Sequence, residues 1–234
     1  DDREEELMGK DYRCVIFDLD GTLVDTSPGI LQALRQVEAE EGLAPLPDGE
    51  AQRFIGPPLL ESMMRYYRVD EARGLALIGR YREIYRADDM GFRRAEVYPL
   101  VGEILDLLHR RGAAVAVATL KQVWMARRTL ELHGLLDRFD MIVGCPPEGD
   151  RSGAPKTKGE QITYILEQQG IPPGAAVMIG DSPYDGVGAG EAGGDFAAQL
   201  YGYGFSHDPE PGEYPVAFSA RTPEELYAFL RENI

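Results

Sequence analysis

The sequence predicts an α/β fold in which a parallel sheet is flanked by helices and an all-helical unit is inserted after the first strand. Two observations lead to this prediction. Short runs of β-branched and aromatic residues alternate with segments of helical spacing, and helical spacing alone continues between residues 27 and 95. Alternation of strands and helices favours parallel strands that are covered on both faces.

The individual elements follow from hydrophobic periodicity and from the residues that flank each run. Strands are predicted at residues 13–18, 113–118, 141–143, 176–179 and 196–200. Helices of the same domain are predicted at 101–111, 122–133, 159–169, 184–192 and 223–233, and inserted helices at 29–41, 57–67 and 71–87. We therefore expect an α/β core domain formed by residues 1–26 and 96–234, and a helical cap domain formed by residues 27–95.

Composition excludes several classes of protein. Of the 234 residues, 44% are hydrophobic and 27% are charged, which is ordinary for a globular chain and unlike a disordered one. The formal net charge of −16 would repel nucleic acid and anionic membrane surfaces. We therefore expect no nucleic-acid or membrane partner. As a separate expectation, the protein is a monomer or homodimer.

No segment of the sequence is apolar enough to cross a membrane. Uncharged, mostly apolar runs such as residues 113–120 are far short of the roughly 20 residues that a spanning helix requires. Residues 1–6 are acidic, whereas a secretory signal begins with basic residues, and the chain has only two cysteines, Cys14 and Cys145. These features predict a cytoplasmic protein without membrane contact.

Acidic residues follow two of the predicted strands. Asp18 and Asp20 end the first strand at positions i and i+2, which places both side chains on the same side. Asp181 and Asp185 follow the strand at 176–179. Ligands of open α/β sheets bind outside the carboxyl ends of the strands, so these four carboxylates are expected to converge on one site.

Such a cluster requires compensating positive charge. Carboxylate oxygens suit Mg²⁺, so the sequence predicts a magnesium site. Thr119 follows the strand at 113–118 and offers a hydroxyl and a backbone N–H for phosphoryl oxygens. Lys158 opens a predicted helix and would supply an ammonium group, although Lys156 in the same loop is an alternative.

These residues resemble the motifs of the haloacid dehalogenase-like superfamily, in the phosphoglycolate phosphatase-like or 5′-nucleotidase-like branch with a helical cap. Asp18-Leu-Asp-Gly-Thr-Leu-Val-Asp25 resembles the first motif, Thr119 the second, Lys158 the third, and Gly180-Asp181 with Asp185 the fourth. The stretches beginning at Arg53 (RFIGPPL) and at Tyr201 (YGYG) resemble the same branch. The resemblance implies a Rossmann-like core.

The resemblance also implies a reaction. A small phosphorylated metabolite, phosphoglycolate or a 5′-nucleotide, would be hydrolysed with Mg²⁺ through an aspartyl-phosphate on Asp18. Asp20 would act as general acid and base, while Thr119 and Lys158 would hold the phosphoryl group. Asp18, Asp181, Asp185 and the backbone carbonyl of Asp20 would ligate the metal. Arg53 is expected to contact the substrate from the cap.

Other activities on the same scaffold remain open. A dehalogenase needs no acid at the position of Asp20, so the presence of Asp20 disfavours that activity. A phosphonatase needs a cap lysine, and residues 27–95 contain no lysine, so that activity is disfavoured more firmly. A sugar phosphomutase of the β-phosphoglucomutase type shares all four motifs. A non-catalytic binding protein is a further alternative, which the intact motif residues disfavour.

Overall fold

A computed structural model describes residues 10–55, 57–147, 149–205 and 207–234. Residues 1–6 and Gly56, both considered above, lie outside this part of the chain. The strands are β1 (Cys14–Phe17), β2 (Val24–Asp25), β3 (Glu96–Val97), β4 (Ala114–Gln122), β5 (Met141–Cys145), β6 (Ala176–Gly180), β7 (Asp195–Gln199) and β8 (Val216–Ala220).

The α-helices, in chain order, are α1 (Ser27–Glu41), α2 (Asp48–Arg53), α3 (Leu59–Tyr67), α4 (Glu71–Arg86), α5 (Met90–Arg93), α6 (Val101–Arg111), α7 (Val123–Leu132), α8 (Lys158–Gln169), α9 (Pro183–Ala192) and α10 (Pro223–Asn233). Short 3₁₀ helices cover Ala87–Asp89, Leu136–Arg138 and Pro173–Ala175. None of the helices in the described ranges combines the length and the apolar character needed to span a bilayer.

The chain divides into two compact units, one formed by Asp1–Leu23 with Tyr98–Ile234 and the other by Val24–Val97. The first unit is built on a six-stranded sheet in the order β5-β4-β1-β6-β7-β8, with parallel pairing throughout. Strand β1 lies between β4 and β6, and Phe17 is in register with Val117 and Ile179. The prediction of an α/β fold with a parallel, Rossmann-like sheet is confirmed.

Helices α8 and α9 pack against each other and against the sheet. Alternate residues of β1, β4, β6 and β7 face the same cluster as Ile162, Ile165 and Leu166 of α8. The two helices approach closely at Gly188, because a Cβ there would lie 2.5 Å from Cβ of Lys158. The small residue therefore allows α9 to pack directly against the first turn of α8, where Lys158 lies.

The second unit is helical apart from the short antiparallel pair β2–β3, which joins Val24 to Val97. Helix α1 packs against α4, which in turn packs against α3. At Gly29 an added Cβ would lie 2.2 Å from the carbonyl oxygen of Gly91, so glycine permits the close contact between α1 and α5. The short elements α2, α5, β2 and β3 were not predicted.

Two differences from the sequence prediction concern the sheet. Strand β8 was not predicted, because it is a half-exposed edge strand without a clear hydrophobic alternation. Strand β4 continues to Gln122, where a helix was expected to begin. The pairing of β4 with β5 shifts register between Thr119 and Gln122, so the end of β4 forms an irregular bulge.

Candidate active site

Three buried carboxylates meet at the carboxyl edge of the parallel sheet. Asp18 follows β1, and its backbone N–H donates to the carbonyl of Ile179 at 2.9 Å, which aligns β1 with β6. Asp181 follows β6, and Asp185 lies in the first turn of α9. One carboxylate oxygen from each of these three aspartates lies within 4.8 Å of the others. Three of the four aspartates that were predicted to converge therefore form this cluster, and Asp20 is not part of it.

Lys158 is buried among these carboxylates at the start of α8. Its Nζ lies 2.8 Å from Oδ1 of Asp18 and 2.7 Å from Oδ1 of Asp185, and it donates to the carbonyl of Ala118 at 2.7 Å. Thr157 and Glu160 form a capping box that fixes where the helix begins. Lys156, the other lysine considered for this site, is exposed, and its Nζ donates to the carbonyl of Asp150. Lys158 is thus the lysine that contacts the carboxylates.

Asp185 is held by the turn that starts α9. Its Oδ2 accepts hydrogen bonds from the backbone N–H of Ser182 at 3.1 Å and from the Ser182 hydroxyl at 2.7 Å. Ser182 is the N-cap of α9, and Pro183 occupies the first turn. One carboxylate oxygen therefore belongs to the helix cap, while the other forms the ion pair with Lys158.

Asp181 is enclosed by backbone. Its Oδ2 accepts hydrogen bonds from the N–H groups of Tyr203 at 2.9 Å and Gly204 at 2.8 Å. The hydroxyl of Thr22 lies 3.4 Å from Oδ1. These contacts come from two loops that lie far apart in sequence, so only the tertiary structure reveals them.

Asp20 is partly buried and pairs with a second lysine. Nζ of Lys121 lies 2.6 Å from Oδ1 of Asp20. Lys121 lies in the irregular end of β4, where Gly144 of β5 allows a close approach: a Cβ at Gly144 would be 2.6 Å from the carbonyl oxygen of Lys121. The bulge thus directs the Lys121 ammonium group toward Asp20, the third residue after β1.

Thr119 is buried at the same edge. Its hydroxyl accepts a hydrogen bond from the N–H of Lys121 at 3.2 Å, and its carbonyl accepts one from Nε2 of Gln161 at 2.9 Å. Gln161 lies three residues after Lys158 on α8, on the same helix face. Helix α8 therefore supports both the carboxylates and the threonine.

Burial and mutual repulsion alter the proton affinities of these groups. Burial, together with the charges of Asp185 and Asp20, raises the pKa of Asp18 to about 7 despite the opposing effect of Lys158. Burial and the charges of Asp185 and Asp18 raise the pKa of Asp181 to about 8, against the backbone N–H donors. Burial lowers the pKa of Lys158, but its two aspartates outweigh that effect and raise it.

The donor set fits a divalent cation. Asp18, Asp181 and Asp185 offer hard carboxylate oxygens at mutual distances suited to one shared ion. Asp18, Asp20, Asp181 and Asp185 carry four negative charges when ionised, whereas Lys121 and Lys158 carry two positive charges. The difference of two charges equals the charge of one Mg²⁺ ion.

The structure brings together Asp18, Asp181, Asp185 and Lys158, and places Thr119 and Asp20 at the same sheet edge. Arg53 belongs to the other unit, where it is exposed at the end of α2. Sequence reasoning missed Lys121 and the amides of Tyr203 and Gly204. Lys121 was visible two residues after Thr119, but its direction depends on a bulge that periodicity does not reveal.

The sequence profile of the haloacid dehalogenase-like hydrolase family matches residues 15–199. The chain is 35% identical over 200 residues to a 5′-nucleotidase of Pseudomonas aeruginosa, covering 85% of this chain and 86% of that protein. It is 34% identical over 200 residues to a phosphoglycolate phosphatase of Rhodospirillum rubrum, covering 82% and 80%.

A third relative carries a different name. The chain is 33% identical over 225 residues to the tyrosine-protein kinase PtkA of Mycobacterium tuberculosis, covering 96% of this chain and 74% of that protein. Among solved structures, a haloacid dehalogenase-like hydrolase from Streptococcus pneumoniae superposes with a TM-score of 0.81 at 27% identity, covering 93% of this chain and 98% of that one. The predictions of the family and of a hydrolase are confirmed: the chain belongs to the haloacid dehalogenase-like hydrolase family.

Proposed function

We propose that this chain is a Mg²⁺-dependent phosphatase that hydrolyses small phosphate monoesters through an aspartyl-phosphate. The observation that carries the proposal is the buried cluster of Asp18, Asp181 and Asp185 around Lys158, whose negative charge exceeds its positive charge. A buried excess of carboxylates is unfavourable unless a cation compensates it. Sites that combine carboxylates, a lysine and Mg²⁺ are suited to phosphoryl transfer.

Asp18 is the proposed nucleophile. Lys158 and the N–H of Leu19 both contact Oδ1, the latter at 2.7 Å, so we assign the attack on phosphorus to Oδ2. The bond from Oδ2 to phosphorus forms as the ester P–O bond breaks, and Asp20 donates a proton to the departing oxygen. Asp20 then accepts a proton from water, which attacks phosphorus and releases inorganic phosphate and free Asp18.

The other residues stabilise the phosphoryl group. The Lys158 ammonium and the Thr119 hydroxyl with its backbone N–H would hold phosphoryl oxygens. Asp18, Asp181, Asp185 and the backbone carbonyl of Asp20 would hold Mg²⁺. When bound, Mg²⁺ would neutralise negative charge on the phosphoryl oxygens as the transition state forms.

Lys121 joins the proposal as a partner of the general acid. Its ion pair at 2.6 Å holds the carboxylate of Asp20 in a defined orientation. We expect Lys121→Met to lower kcat for every substrate by about 10- to 100-fold, because Asp20 then loses its orientation. Lys10→Met is the matched control, since Lys10 forms an exposed ion pair with Asp195 and should leave kcat unchanged. An unchanged kcat in Lys121→Met would remove Lys121 from the mechanism.

The substrate class is a further part of the proposal. Relatives named 5′-nucleotidase and phosphoglycolate phosphatase support a 5′-nucleotide or phosphoglycolate. We also propose that residues 27–95 act as the cap and that Arg53 contacts the leaving group. Arg53→Ala should then change the order of substrate preference; an unchanged order would exclude Arg53. Both cysteines are free thiols, which supports a reducing, cytoplasmic location. We also propose a monomer or homodimer.

Phosphate release tests the proposal directly. Phosphoglycolate, nucleoside monophosphates, sugar phosphates and an aryl phosphate are each incubated with the protein, once with Mg²⁺ and once with a chelator. We expect release that depends on Mg²⁺ and is strongest with one class of compound. Equal release with chelator, or no release from any compound, would contradict the proposal.

The relative named tyrosine-protein kinase supports a second candidate, transfer of a phosphoryl group from ATP to a protein tyrosine. The same nucleophile would accept the γ-phosphoryl group and pass it to the phenol oxygen instead of water. ATP labelled at the γ-phosphate, incubated with a tyrosine-containing protein, separates the two candidates. Label on tyrosine would favour the kinase, and label in inorganic phosphate alone would favour the phosphatase. Isomerisation of a sugar phosphate in the same panel would identify a mutase.

A further inference from the structure

The segment 201–205, with the sequence YGYGF, surrounds Asp181 but has no role in the proposed reaction. Its N–H groups at Tyr203 and Gly204 donate to the same carboxylate oxygen, Oδ2 of Asp181. Two donors on Oδ2 fix the rotation of the carboxylate and leave Oδ1 on the side approached by the Thr22 hydroxyl. The segment therefore determines how Asp181 presents its second oxygen.

Glycines make this contact possible. A Cβ at Gly202 would lie 2.4 Å from Cβ of Asp181, and one at Gly204 would lie 2.4 Å from its carbonyl oxygen. Gly21 closes the third side, since a Cβ there would lie 2.2 Å from Oδ2 of Asp181. Any larger residue at these three positions would force Asp181 or the loop to move.

Aromatic contacts anchor both ends of the segment. The ring of Tyr201 packs edge-on against Tyr98 with centroids 5.7 Å apart. The ring of Phe205 packs against Phe196 at 6.1 Å and Tyr214 at 6.4 Å, within the core on one face of the sheet. The two donor amides thus lie between two anchored aromatic side chains, which restrict their movement.

We infer that the segment 201–205 is a positioning element that sets both the affinity and the selectivity for Mg²⁺, by holding Asp181 in one orientation. The inference rests on the proposed metal site. Mg²⁺ requires near-octahedral geometry at short distances, whereas Ca²⁺ accepts flexible ligands at longer ones. A rigid carboxylate therefore favours Mg²⁺, and a loosened one loses Mg²⁺ affinity more than Ca²⁺ affinity.

Gly204→Ala tests the inference, with Gly174→Ala as the matched control because a Cβ at Gly174 meets nothing within 4 Å. Binding calorimetry with MgCl₂ and with CaCl₂ measures both dissociation constants on the folded, substrate-free protein. We expect Gly204→Ala to raise the Kd for Mg²⁺ by about 10- to 100-fold and the Kd for Ca²⁺ by less. Gly174→Ala should match the wild type for both ions.

Phe205→Leu provides a milder version if Gly204→Ala does not fold, since it loosens the anchor without adding an atom near Asp181. The same direction of change, smaller in size, is expected. An unchanged Kd for Mg²⁺, or equal loss of both ions, in a folded variant would overturn the inference. Asp181→Asn distinguishes failure of this inference from failure of the proposed metal site on which it rests. Wild-type Mg²⁺ binding in that variant would refute the metal site itself.

Discussion

Glu38 of the helical unit and the three clustered aspartates at the edge of the parallel sheet are all buried, but their charges are balanced in different ways. Glu38 accepts hydrogen bonds from the N–H of Leu46 and the hydroxyl of Tyr67, both at 2.8 Å, and forms an ion pair with Arg35 at 2.9 Å. One carboxylate therefore has one cation and two neutral donors. Such a carboxylate links parts of the fold and requires no additional cation to balance its charge.

The sheet edge departs from that balance. Asp18 and Asp185 share a single ammonium group, Lys158, and Asp181 receives only neutral donors among the contacts described above. The excess charge costs folding free energy in the absence of a cation. The comparison teaches that burial of a carboxylate does not by itself mark a functional site. We propose that a local charge excess is the better marker, and that here it would stabilise a metal ion and a phosphoryl group.

The largest expected effect comes from Asp18→Asn, which keeps the shape of the side chain but removes the nucleophile. Turnover should fall by more than about 10³-fold, while the fold and the stabilisation by Mg²⁺ largely persist. Phosphate release and thermal melting with and without Mg²⁺ measure the two properties. Asp137→Asn, an exposed control, should behave as the wild type. Retained turnover in Asp18→Asn would reject Asp18 as the nucleophile.

Removing the Lys158 ammonium group from the aspartate cluster should have the next largest effect. Lys158→Met leaves Asp18 and Asp185 buried without their partner, so the free energy of unfolding in chelator should fall by about 3 to 5 kcal/mol. Lys156→Met removes an exposed lysine from the same loop and should change it by less than about 0.5 kcal/mol. Denaturant unfolding of both variants checks the difference. Equal stabilities would contradict the charge balance described here.

Glu38→Gln tests the same comparison at the charge-balanced carboxylate of the helical unit. The amide places N–H donors toward Arg35, so the free energy of unfolding should fall by about 1 to 3 kcal/mol. Because Glu38 lies outside the charge excess, the Kd for Mg²⁺ should equal that of the wild type. Denaturant unfolding and calorimetry give the two values. A weakened Mg²⁺ affinity in this variant would show that the two sites are not independent.

The stability of the metal-free protein should also depend on pH. The pKa values of Asp18 and Asp181, about 7 and 8, lie above those of an unfolded aspartate, so the folded state binds protons more tightly. Their contribution to stability is complete below about pH 4 and is lost as the pH rises through 7 to 8. In chelator, the wild type should therefore lose stability relative to Asp181→Asn as the pH rises from 5 to 9. If the free energy of unfolding of the wild type, relative to that of Asp181→Asn, stays constant or rises with pH, these pKa shifts are contradicted.

Much of the sheet and its functional edge follows from sequence pattern alone. The runs at β1, β4 and β6 are apolar and buried, and the polar residues that end them necessarily meet at one edge of a parallel sheet. Asp18, Thr119 and Asp181 could be predicted for this reason. Their prediction needed only the expectation of parallel strands and the chemistry of the residues that follow them.

Other features depend on contacts that pattern does not encode. Lys121 reaches Asp20 because of a bulge, and the amides of Tyr203 and Gly204 reach Asp181 from the loop that follows β7. Asp195, unexpectedly polar at the start of β7, is explained by Tyr12, whose hydroxyl donates to it at 2.7 Å, and by its ion pair with Lys10. Each of these depends on two segments far apart in sequence, which local periodicity cannot pair.

The central claim is that the charge-rich sheet edge performs phosphoryl transfer through Asp18. The most direct test is to mix the protein with Mg²⁺ and its best substrate, quench the reaction with acid during turnover, and locate phosphate by peptide mass spectrometry. The Asp20→Asn variant, which should hydrolyse the intermediate slowly, is measured in parallel. We predict one phosphoryl group on the peptide that contains Asp18, at higher occupancy in Asp20→Asn. Phosphate on a different residue, or an unmodified Asp18 in both proteins during sustained phosphate release, would contradict the account.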